Sequence, residues 1–549
     1  METECAARRW WPRRPASAAR STSPARSASP ANECRARVAR LCLAFGVALA
    51  MSPGEFLSGR IVVAQGTAAQ NTGAQGNLQP SGLQAALALQ QVVVDSIGRA
   101  ERSVVAIARE RRSGGDGARR EPPMADDGVR AAALTDKAPD DPDYVPHEFG
   151  TGVVIDRAGL IVTNYHVLGD PKQNRYWVWV QKRPYLAEVK AADPWLDLAV
   201  LKISAENLEP VVFGDAKDVR RGQIVLSLGN PYAIARDGQP SATWGIVSNL
   251  SRRAPADSAL RGKPSGRGDT LHQYGTLIQT DCKLQLGTSG GALVNLKGEL
   301  IGLTTALAAM EGSDAAAGFA IPVDETFKRV LDVMKTGRKP EYGFLGVAPE
   351  LLSVAERQQG RVGVRVQQIV PGTPAARSGL RETDLITQVA GAAVGDAADL
   401  IREVSRWPAE STVELLVARD DGKGSRPKTV RVPVELSKKH LGGPLPPFGQ
   451  APDRLWRGAK IDHATASPLF SERLRDVDPD GCVAVIDVEP DSPAWVAGLR
   501  SGMFVSHVEQ QRVTWPREFW QRVAESAGPV RVRVTGIYDK EAVKVVAPP

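Results

Sequence analysis

The stretch Gln285-Leu-Gly-Thr-Ser-Gly-Gly-Ala-Leu-Val294 sets one serine among three glycines, directly before an apolar run that predicts a buried strand. Glycine and serine are also the commonest residues of ordinary loops. The motif therefore fits both a nucleophile held on a tight turn and a serine in a flexible loop. A histidine, a carboxylate and an oxyanion site elsewhere in the chain would decide for the nucleophile.

The residues on both sides of this stretch predict an all-β domain. Between residues 149 and 321, short apolar runs alternate with turns, which favours a barrel or a sandwich. We expect a hairpin at residues 153–163, further strands at 176–180 and 198–203, and a closing helix at 328–335.

A histidine and a carboxylate in this domain could complete a catalytic triad with Ser289. His166 follows a strongly apolar strand, and Asp197 opens the apolar run Asp-Leu-Ala-Val-Leu-Lys-Ile. The chain order His, Asp, Ser is that of chymotrypsin-type double barrels, in which the serine attacks, the imidazole takes its proton and the carboxylate fixes the tautomer. The backbone N–H groups of Gly287 and Ser289 would form the oxyanion hole.

Two other aspartates compete with Asp197 for the carboxylate role. Asp193 precedes a proline and predicts the start of a turn, whereas Asp197 adjoins the strand that would bury it. Asp281 lies too near the serine loop and is interpreted as structural. We therefore favour Asp197.

Length and charge narrow the class of protein. A chain of 549 residues predicts about three or four domains. The net charge of +7 comes mostly from residues 1–64, which hold 10 Arg and 4 Glu and leave 59 basic and 58 acidic side chains in the rest. Without a basic face, nucleic acid is not an expected partner. We also expect no metal and no cofactor, because Cys282 and Cys482 have no metal-ligand neighbours.

The first 64 residues predict a basic leader with a signal sequence. Arginines precede an apolar core at 41–51, which is too short to span a bilayer comfortably. Cleavage is expected after Ala64 or, alternatively, near Ala50. A short buried helix is the competing interpretation of the apolar core. The leader predicts a periplasmic or otherwise extracytoplasmic protein, attached to a membrane only if the leader stays uncleaved.

The C-terminal part of the chain contains an internal repeat. Residues 366–380 align with residues 485–499 at a constant offset of 119. Such self-similarity predicts two copies of one module. The residues that recur are Pro371, Pro374, Gly379 and Leu380 in the first copy and Pro490, Pro493, Gly498 and Leu499 in the second.

Nine segments, taken in chain order, resemble the HtrA/Deg family of serine endopeptidases. They are Phe149-Gly-Thr-Gly-Val-Val-Ile-Asp156, Leu160-Ile-Val-Thr-Asn-Tyr-His-Val167, Asp197-Leu-Ala-Val-Leu-Lys-Ile203, Gly229-Asn-Pro231, Trp244-Gly-Ile-Val-Ser248, Ile278-Gln-Thr-Asp281, Gly287-Thr-Ser-Gly-Gly-Ala-Leu-Val-Asn295, Gly298-Glu-Leu-Ile-Gly-Leu303 and Gly318-Phe-Ala-Ile-Pro322. The resemblance extends from about residue 95 to the C-terminus, and the duplicated module resembles the PDZ domains of that family.

The resemblance implies a mainly β protein: a chymotrypsin-like double β-barrel protease domain followed by two PDZ-like α+β modules. The domains that we expect are a basic leader and signal sequence (1–64), a linker and N-terminal helix (65–94), the protease domain (95–340), PDZ domain 1 (341–437), a Pro/Gly linker (438–452) and PDZ-like domain 2 (453–549). The N-terminal helix is expected at 87–99, and the first strand of the protease domain at 103–108.

The resemblance also implies a function. Family members are ATP-independent extracytoplasmic endopeptidases that cut unfolded or misfolded proteins, and they usually assemble from trimers. Their PDZ domains capture C-termini or extended segments by strand addition. We accordingly expect unfolded polypeptides and C-terminal peptides as partners, and a homotrimer or higher homo-oligomer.

Substrate-binding residues follow from the same resemblance. Leu284 and Thr305 are assigned to the substrate cleft. Trypsin-type enzymes place an aspartate six residues before the serine, where this chain has Lys283, so a shallow apolar pocket is expected. In the first PDZ domain, the carboxylate-binding loop is assigned to Phe344, Leu345, Gly346 and Val347.

Some positions depart from the family pattern. Thr288 replaces an asparagine and Gln285-Leu286 replaces Asn-Pro, which leaves the shape of the serine loop open. In the second module, Met503 stands where the first has Asp384, so docking is as plausible there as peptide capture. The competing functions are a catalytically weak or inactive pseudoprotease that acts as a chaperone or binding scaffold, and an adaptor that uses only its PDZ modules.

Overall fold

The computed structural model describes residues 82–112, 138–141, 144, 146, 148–231, 239–253, 270–305, 318–420, 427–442, 448, 454–524, 526–535 and 542–548. The predicted leader and its cleavage site lie outside these residues. So do the linker as far as residue 81 and most of the polar stretches 111–146 and 251–273.

The first barrel consists of β1 (Val104–Arg111), β2 (Glu148–Val154), β3 (Leu160–Asn164), β4 (Asn174–Val180), β5 (Arg183–Asp193) and β6 (Leu198–Lys202). These strands close in the order β1-β2-β3-β6-β5-β4, because β1 pairs with β2 on one side and with β4 on the other. Fully buried aliphatic side chains such as Ile107, Ile161 and Leu201 fill its interior.

The second barrel consists of β7 (Ile224–Gly229), β8 (Ser241–Arg252), β9 (Leu277–Thr280), β10 (Ala292–Val294), β11 (Leu300–Thr305) and β12 (Gly318–Pro322). It closes in the order β10-β11-β12-β9-β8-β7. Strand β10 is the predicted buried strand that follows Ser289, and all three of its residues are buried. One apolar cluster joins the two barrels, with Val162 and Val200 from the first packed together with Leu226 and Leu303 from the second.

In the described part of the protease region, the barrels are flanked by α1 (Gly82–Ala100), α2 (Tyr165–Leu168) and α3 (Glu325–Lys335). Helix α1 begins five residues before the predicted start at residue 87. Helix α3 begins three residues before the predicted start, because the Asp324 carboxylate accepts the Phe327 N–H at 2.9 Å and caps an additional turn.

The first C-terminal module contains β13 (Gly343–Phe344), β14 (Val347–Glu350), α4 (Val354–Gln358), β15 (Val364–Ile369), α5 (Pro374–Arg377), β16 (Leu385–Val389), β17 (Ala392–Ala393), α6 (Ala397–Ser405), β18 (Thr412–Arg419), β19 (Lys428–Glu435) and β20 (Ser437–Lys438). Its main sheet has the order β14-β15-β16-β18-β19. Leu400 and Val404 of α6 pack on this sheet.

The second module contains β21 (Leu455–Trp456), β22 (Ala459–His463), β23 (Val483–Val488), α7 (Pro493–Val496), β24 (Phe504–Val508), β25 (Gln511–Arg512), α8 (Pro516–Ala524), β26 (Val530–Thr535) and β27 (Ala542–Val546). Its sheet has the order β21-β22-β23-β24-β26-β27, and Phe519 of α8 packs on it. The predicted fold class is confirmed, since a mainly β double barrel is followed by two α+β modules.

The two modules are held together by charged and aromatic contacts. The Lys438 ammonium lies 2.6 Å from the Asp462 carboxylate, and Arg517 donates to both oxygens of Glu435 at 2.6 and 2.9 Å. The rings of Phe344 and Phe470 meet edge to face, with their centroids 6.4 Å apart. The second module therefore packs beside the loop that carries Phe344.

No helix within the described ranges is long and apolar enough to cross a membrane. In the same ranges, no group of three His, Cys, Asp or Glu side chains is arranged to hold a metal ion.

The cap of α3 generates a prediction for stability. Asp324→Ala removes the acceptor of the Phe327 N–H and should lower the stability of the protease domain by about 1 kcal/mol. Asp324→Ser, which keeps a capping oxygen, should recover most of that loss. Asp332→Ala on the exposed side of α3 is the matched control. The measurement is the thermal midpoint together with hydrogen exchange of the Phe327 amide, and unchanged exchange in Asp324→Ala would contradict the cap.

Candidate active site

His166 and Asp197 lie side by side because β3 pairs with β6. Asn164 at the end of β3 is opposite Leu198 at the start of β6, so the residues that extend beyond these two strand ends meet. The His166 Nδ1 atom lies 2.8 Å from Asp197 Oδ2, and the His166 backbone N–H donates to Asp197 Oδ1 at 3.0 Å. One carboxylate therefore holds both the ring and the backbone of the histidine.

Asp197 adopts a strained backbone conformation with φ of 54°, which is uncommon for a residue other than glycine. Its carbonyl accepts hydrogen bonds from the Tyr165 N–H at 3.0 Å and from the Asn164 side-chain amide at 3.2 Å. Burial favours the protonated acid, but the charge of His166 and its hydrogen bonds outweigh burial and hold the pKa of Asp197 below its usual value. The carboxylate is therefore ionised at neutral pH.

A second, fully buried histidine supports the turn before Asp197. His272 Nε2 lies 3.1 Å from the Leu196 carbonyl oxygen, which can only accept, so Nε2 carries a proton. His272 Nδ1 lies 2.8 Å from the Thr276 hydroxyl. Burial lowers the pKa of His272, so the ring is neutral and Nδ1 accepts from that hydroxyl. Sequence reasoning missed this role, because nothing near His272 in the chain distinguishes it from a solvated histidine.

The serine lies on two successive tight turns. In the first turn, the Gln285 carbonyl accepts both the Thr288 N–H at 3.1 Å and the Thr288 hydroxyl at 2.7 Å. Gly287 is the third residue of this turn and has φ of 95°, as a type II turn requires. The replacement of asparagine by Thr288 is therefore accommodated by a local hydrogen bond.

The second turn carries Ser289 itself. The Gly291 N–H donates to the Thr288 carbonyl at 3.0 Å, and Gly290 between them has φ of 83°. A Cβ atom on Gly290 would collide with the Thr151 carbonyl and the Thr163 hydroxyl. The turn thus needs glycine both for its conformation and for its close contact with the first barrel.

Thr151 on β2 joins the serine loop to the first barrel. Its backbone N–H donates to the Ser289 carbonyl at 2.9 Å, and its hydroxyl donates to the Gly287 carbonyl at 2.7 Å. The same hydroxyl accepts the Asn230 N–H at 2.8 Å. Thr151 is fully buried, so these bonds are shielded from water. The sequence did not single out this residue.

Gly150 brings the histidine and serine segments into contact. A Cβ atom on Gly150 would lie 2.7 Å from the side chain of Val167, which follows His166, and 3.4 Å from the Ser289 carbonyl. The two segments therefore pack against the same small residue. Among the described residues, the Gly287 N–H donates to no backbone acceptor.

The competing aspartates have other partners. Asp193 is buried and accepts the backbone N–H groups of Trp195 at 3.2 Å and Leu196 at 3.3 Å, together with the Tyr342 hydroxyl. Burial raises the pKa of Asp193 to about 6. The exposed Asp281 accepts the Ile246 N–H at 2.6 Å. Both carboxylates have the structural contacts expected of turn and loop residues.

The predicted substrate-binding residues fall into two separate places. Leu284 is half-buried and lies against Gly318, where an added Cβ atom would be 3.0 Å from its side chain, and the adjacent Lys283 is exposed. Thr305 ends β11, and its buried hydroxyl has no hydrogen-bond partner in the described part of the chain. Phe344, Leu345, Gly346 and Val347 lie in the first C-terminal module.

Comparison with known proteins identifies the family. Residues 150–303 match the trypsin-like peptidase domain, and residues 343–434 match the PDZ domain. The periplasmic serine endoprotease DegP of Salmonella typhimurium is 30% identical over 373 residues, which cover 66% of this chain and 69% of that protein. The chain belongs to the DegP/HtrA family of serine endoproteases. The predicted family and enzyme class are confirmed.

Other members of the DegP/HtrA family show similar coverage. A probable periplasmic serine endoprotease DegP-like from Chlamydia trachomatis serovar D is 29% identical over 385 residues, which cover 69% of this chain and 70% of that protein. Among solved structures, the HtrA-type protease AlgW with tripeptide is 25% identical, with a TM-score of 0.45, and the match covers 64% of this chain and 98% of that chain.

The contacts of Thr151 generate a prediction for activity. Thr151→Val removes the hydroxyl that links Asn230 to Gly287, so the serine loop should lose its register on the first barrel. We expect kcat to fall about 10- to 100-fold with little change in KM, because misplaced reacting groups affect the chemical step.

The control variants separate positioning from folding. Thr151→Ser should restore most of kcat. Thr387→Val, which removes a hydroxyl bonded to a carbonyl in the first module, should leave kcat unchanged. A Thr151→Val protein with wild-type kcat would show that the hydroxyl does not position the loop.

Proposed function

We propose that this DegP/HtrA-family protein is an extracytoplasmic quality-control endopeptidase that hydrolyses unfolded or misfolded proteins through His166, Asp197 and Ser289. The observation that carries the proposal is the bidentate contact of Asp197 with His166, next to a serine loop whose turns are fixed from the first barrel. The periplasmic names of relatives support the extracytoplasmic location.

In the proposed mechanism, the Ser289 hydroxyl attacks the scissile carbonyl and His166 takes its proton. Asp197 accepts from Nδ1, so that the neutral imidazole presents its basic Nε2 atom to the serine. The N–H groups of Gly287 and Ser289 stabilise the oxyanion of the tetrahedral intermediate. His166 then donates the proton to the leaving amine, and water repeats the sequence on the acyl-enzyme.

A pseudoprotease with the same architecture is the alternative function. It would bind unfolded chains without cleaving them. The hydrogen bonds of Thr288 favour the enzyme over the pseudoprotease, because they hold the serine loop in a defined turn despite its departures from the family pattern.

Casein digestion and fluorophosphonate labelling distinguish the two. We expect the wild-type protein to digest casein and to be labelled at Ser289, and Ser289→Ala to lose digestion by at least about 1,000-fold. Asp197→Asn should lower the rate of casein digestion about 10⁴-fold, because the amide favours the wrong tautomer of the His166 ring. Asp281→Asn is the matched control. Equal inactivity of wild type and Ser289→Ala would support the pseudoprotease.

The enzyme is proposed to prefer apolar side chains at the residue before the cleaved bond. Leu284 faces Gly318 at the entrance of β12, whereas the Lys283 side chain is exposed to solvent. A pocket next to these residues would accept small or medium aliphatic side chains.

A peptide-library profile tests this specificity. We expect aliphatic residues before the cleaved bond, and we expect the preference to survive Lys283→Asp, because that side chain points to solvent. Leu284→Ala should shift the preference toward larger aliphatic residues. Cleavage after Arg or Lys as the dominant product would contradict the proposed pocket.

Substrate capture and assembly complete the proposal. The first PDZ domain is proposed to bind peptide segments and so raise the local concentration of substrate.

A homotrimer or higher homo-oligomer is supported by the apolar side chains that α1 exposes. These are Leu83 (70% exposed), Leu87 (52%) and Val94 (53%). Exposed apolar surface of this kind is typical of protein interfaces.

A further inference from the structure

Proline occurs on both edge strands of the sheet in the first PDZ domain. The sheet is bounded by β14 and β19, which contain Pro349 and Pro433. Proline on an edge strand removes a hydrogen-bond donor from the open side. Strand β14 directly follows the predicted carboxylate-binding loop, so its open edge is where a captured peptide would add as a strand.

The backbone pairing shows which way Pro349 faces. Pro349 is opposite Val366 on β15. The Val366 N–H donates to the Asp384 carbonyl and its own carbonyl accepts the Thr383 N–H, both at 2.8 Å, so the main-chain groups of Val366 face away from β14. The two opposite residues therefore form a non-hydrogen-bonded pair. It follows that the ring nitrogen and carbonyl of Pro349 face the open edge.

A peptide added to this edge would find donors only at its C-terminal end. In the described part of the chain, the N–H groups of Leu345 and Gly346 donate to no protein acceptor, so they can receive a terminal carboxylate. The outward carbonyl of Val347 can accept the N–H of the last peptide residue. The next outward position is Pro349, which has no N–H to donate. Its ring carbon occupies the place of the amide hydrogen and so keeps an added strand from closing onto the outward Pro349 carbonyl.

We propose that the first PDZ domain captures only free C-terminal ends and makes backbone contacts with only their last two residues, because Pro349 stops strand addition there. This inference rests on the peptide capture proposed above and narrows it. Internal extended segments of an unfolded chain lack the carboxylate and would meet an edge that cannot complete the ladder.

The second module has an amide at the corresponding position. Ile461 is opposite Val485, whose main-chain groups bond to Met503 and Gly502 at 2.8 Å. Ile461 thus corresponds to Pro349 and can donate outward. Proline is therefore not a requirement of this sheet position.

In the second module, the chain itself covers the beginning of the edge. Arg457 and Gly458 have φ of 52° and 87° and form a two-residue type I′ turn. This turn folds Trp456 back onto Ala459, and the Trp456 ring packs against Phe519 with a centroid distance of 5.1 Å. The second module is thereby closed to a chain end, which leaves the loop of the first PDZ domain as the capture site of the two described modules.

The experiment measures peptide binding to the full-length chain carrying Ser289→Ala, so that no probe is cleaved. The probe is a fluorescent alanine pentapeptide that ends in valine, because the loop adjoins an aliphatic cluster containing Leu400 and Val404. Unlabelled tripeptide and dipeptide truncations and the pentapeptide amide compete with it. We expect one site per chain, affinities within about threefold for the three acids, and no competition by the amide.

Pro349→Ala restores an outward N–H and should strengthen binding of the pentapeptide about 3- to 10-fold, the value of one backbone hydrogen bond. Dipeptide binding should not change. Pro433→Ala on the opposite edge is the matched control and should change neither the pentapeptide affinity nor the dipeptide affinity.

The outcomes separate the inference from the capture on which it rests. Absence of any binding, or an amide that competes as well as the acid, would overturn the capture of chain ends altogether. The role of Pro349 would be overturned if the affinity of the wild-type domain rose steadily as the peptide lengthened from two to five residues. It would also be overturned if Pro349→Ala bound the pentapeptide no more tightly than wild type, and in both cases the capture of chain ends would still hold. Two sites per chain would overturn the closure of the second module.

Discussion

In the proposed active site, the serine loop is tied to the first barrel most directly through the Thr151 hydroxyl. The Thr151 side chain accepts from Asn230 and donates to Gly287, and its backbone donates to Ser289. The first barrel carries the histidine and the aspartate, and the second carries the serine. Without a fixed contact between the barrels, each half could be well folded and the reacting groups still be misplaced. The hydrogen bonds of a buried hydroxyl stabilise the contact and also fix the orientation of the two segments, because hydrogen bonds depend on angle and apolar packing does not.

The sequence predicted the local features of the site better than its supporting contacts. Asp197 could be preferred to Asp193 because each lies next to a recognisable signal, a strand in one case and a proline turn in the other. The accommodation of Thr288 is also local, since its partner Gln285 is three residues away. His272 contacts Leu196, which is 76 residues away, and Asn230 contacts Thr151, which is 79 residues away. No sequence pattern near either residue predicts these contacts.

The same distinction holds for the fold. The strands and both modules could be predicted, because alternation and a repeated motif are visible in the chain. The start of α3 was missed by three residues, since the helix is extended by a capping contact, from the Phe327 N–H to Asp324, that lies before the predicted segment. The covered edge of the second module could not be predicted either. Its hairpin lies at the position of the carboxylate-binding loop of the first module, and the pairing of Trp456 with Ala459 reveals it.

The division of the candidate site between two barrels has a consequence for the proposed quality-control function. On the proposed mechanism, local unfolding of either barrel would disable the enzyme, because His166 follows β3 of the first barrel and Ser289 precedes β10 of the second. A heat-damaged copy would thus lose its cutting activity before it lost all of its structure. Such a copy would also expose the disordered chain that its intact neighbours recognise. The population would in this way remove its own defective members, with no separate device for recognising them.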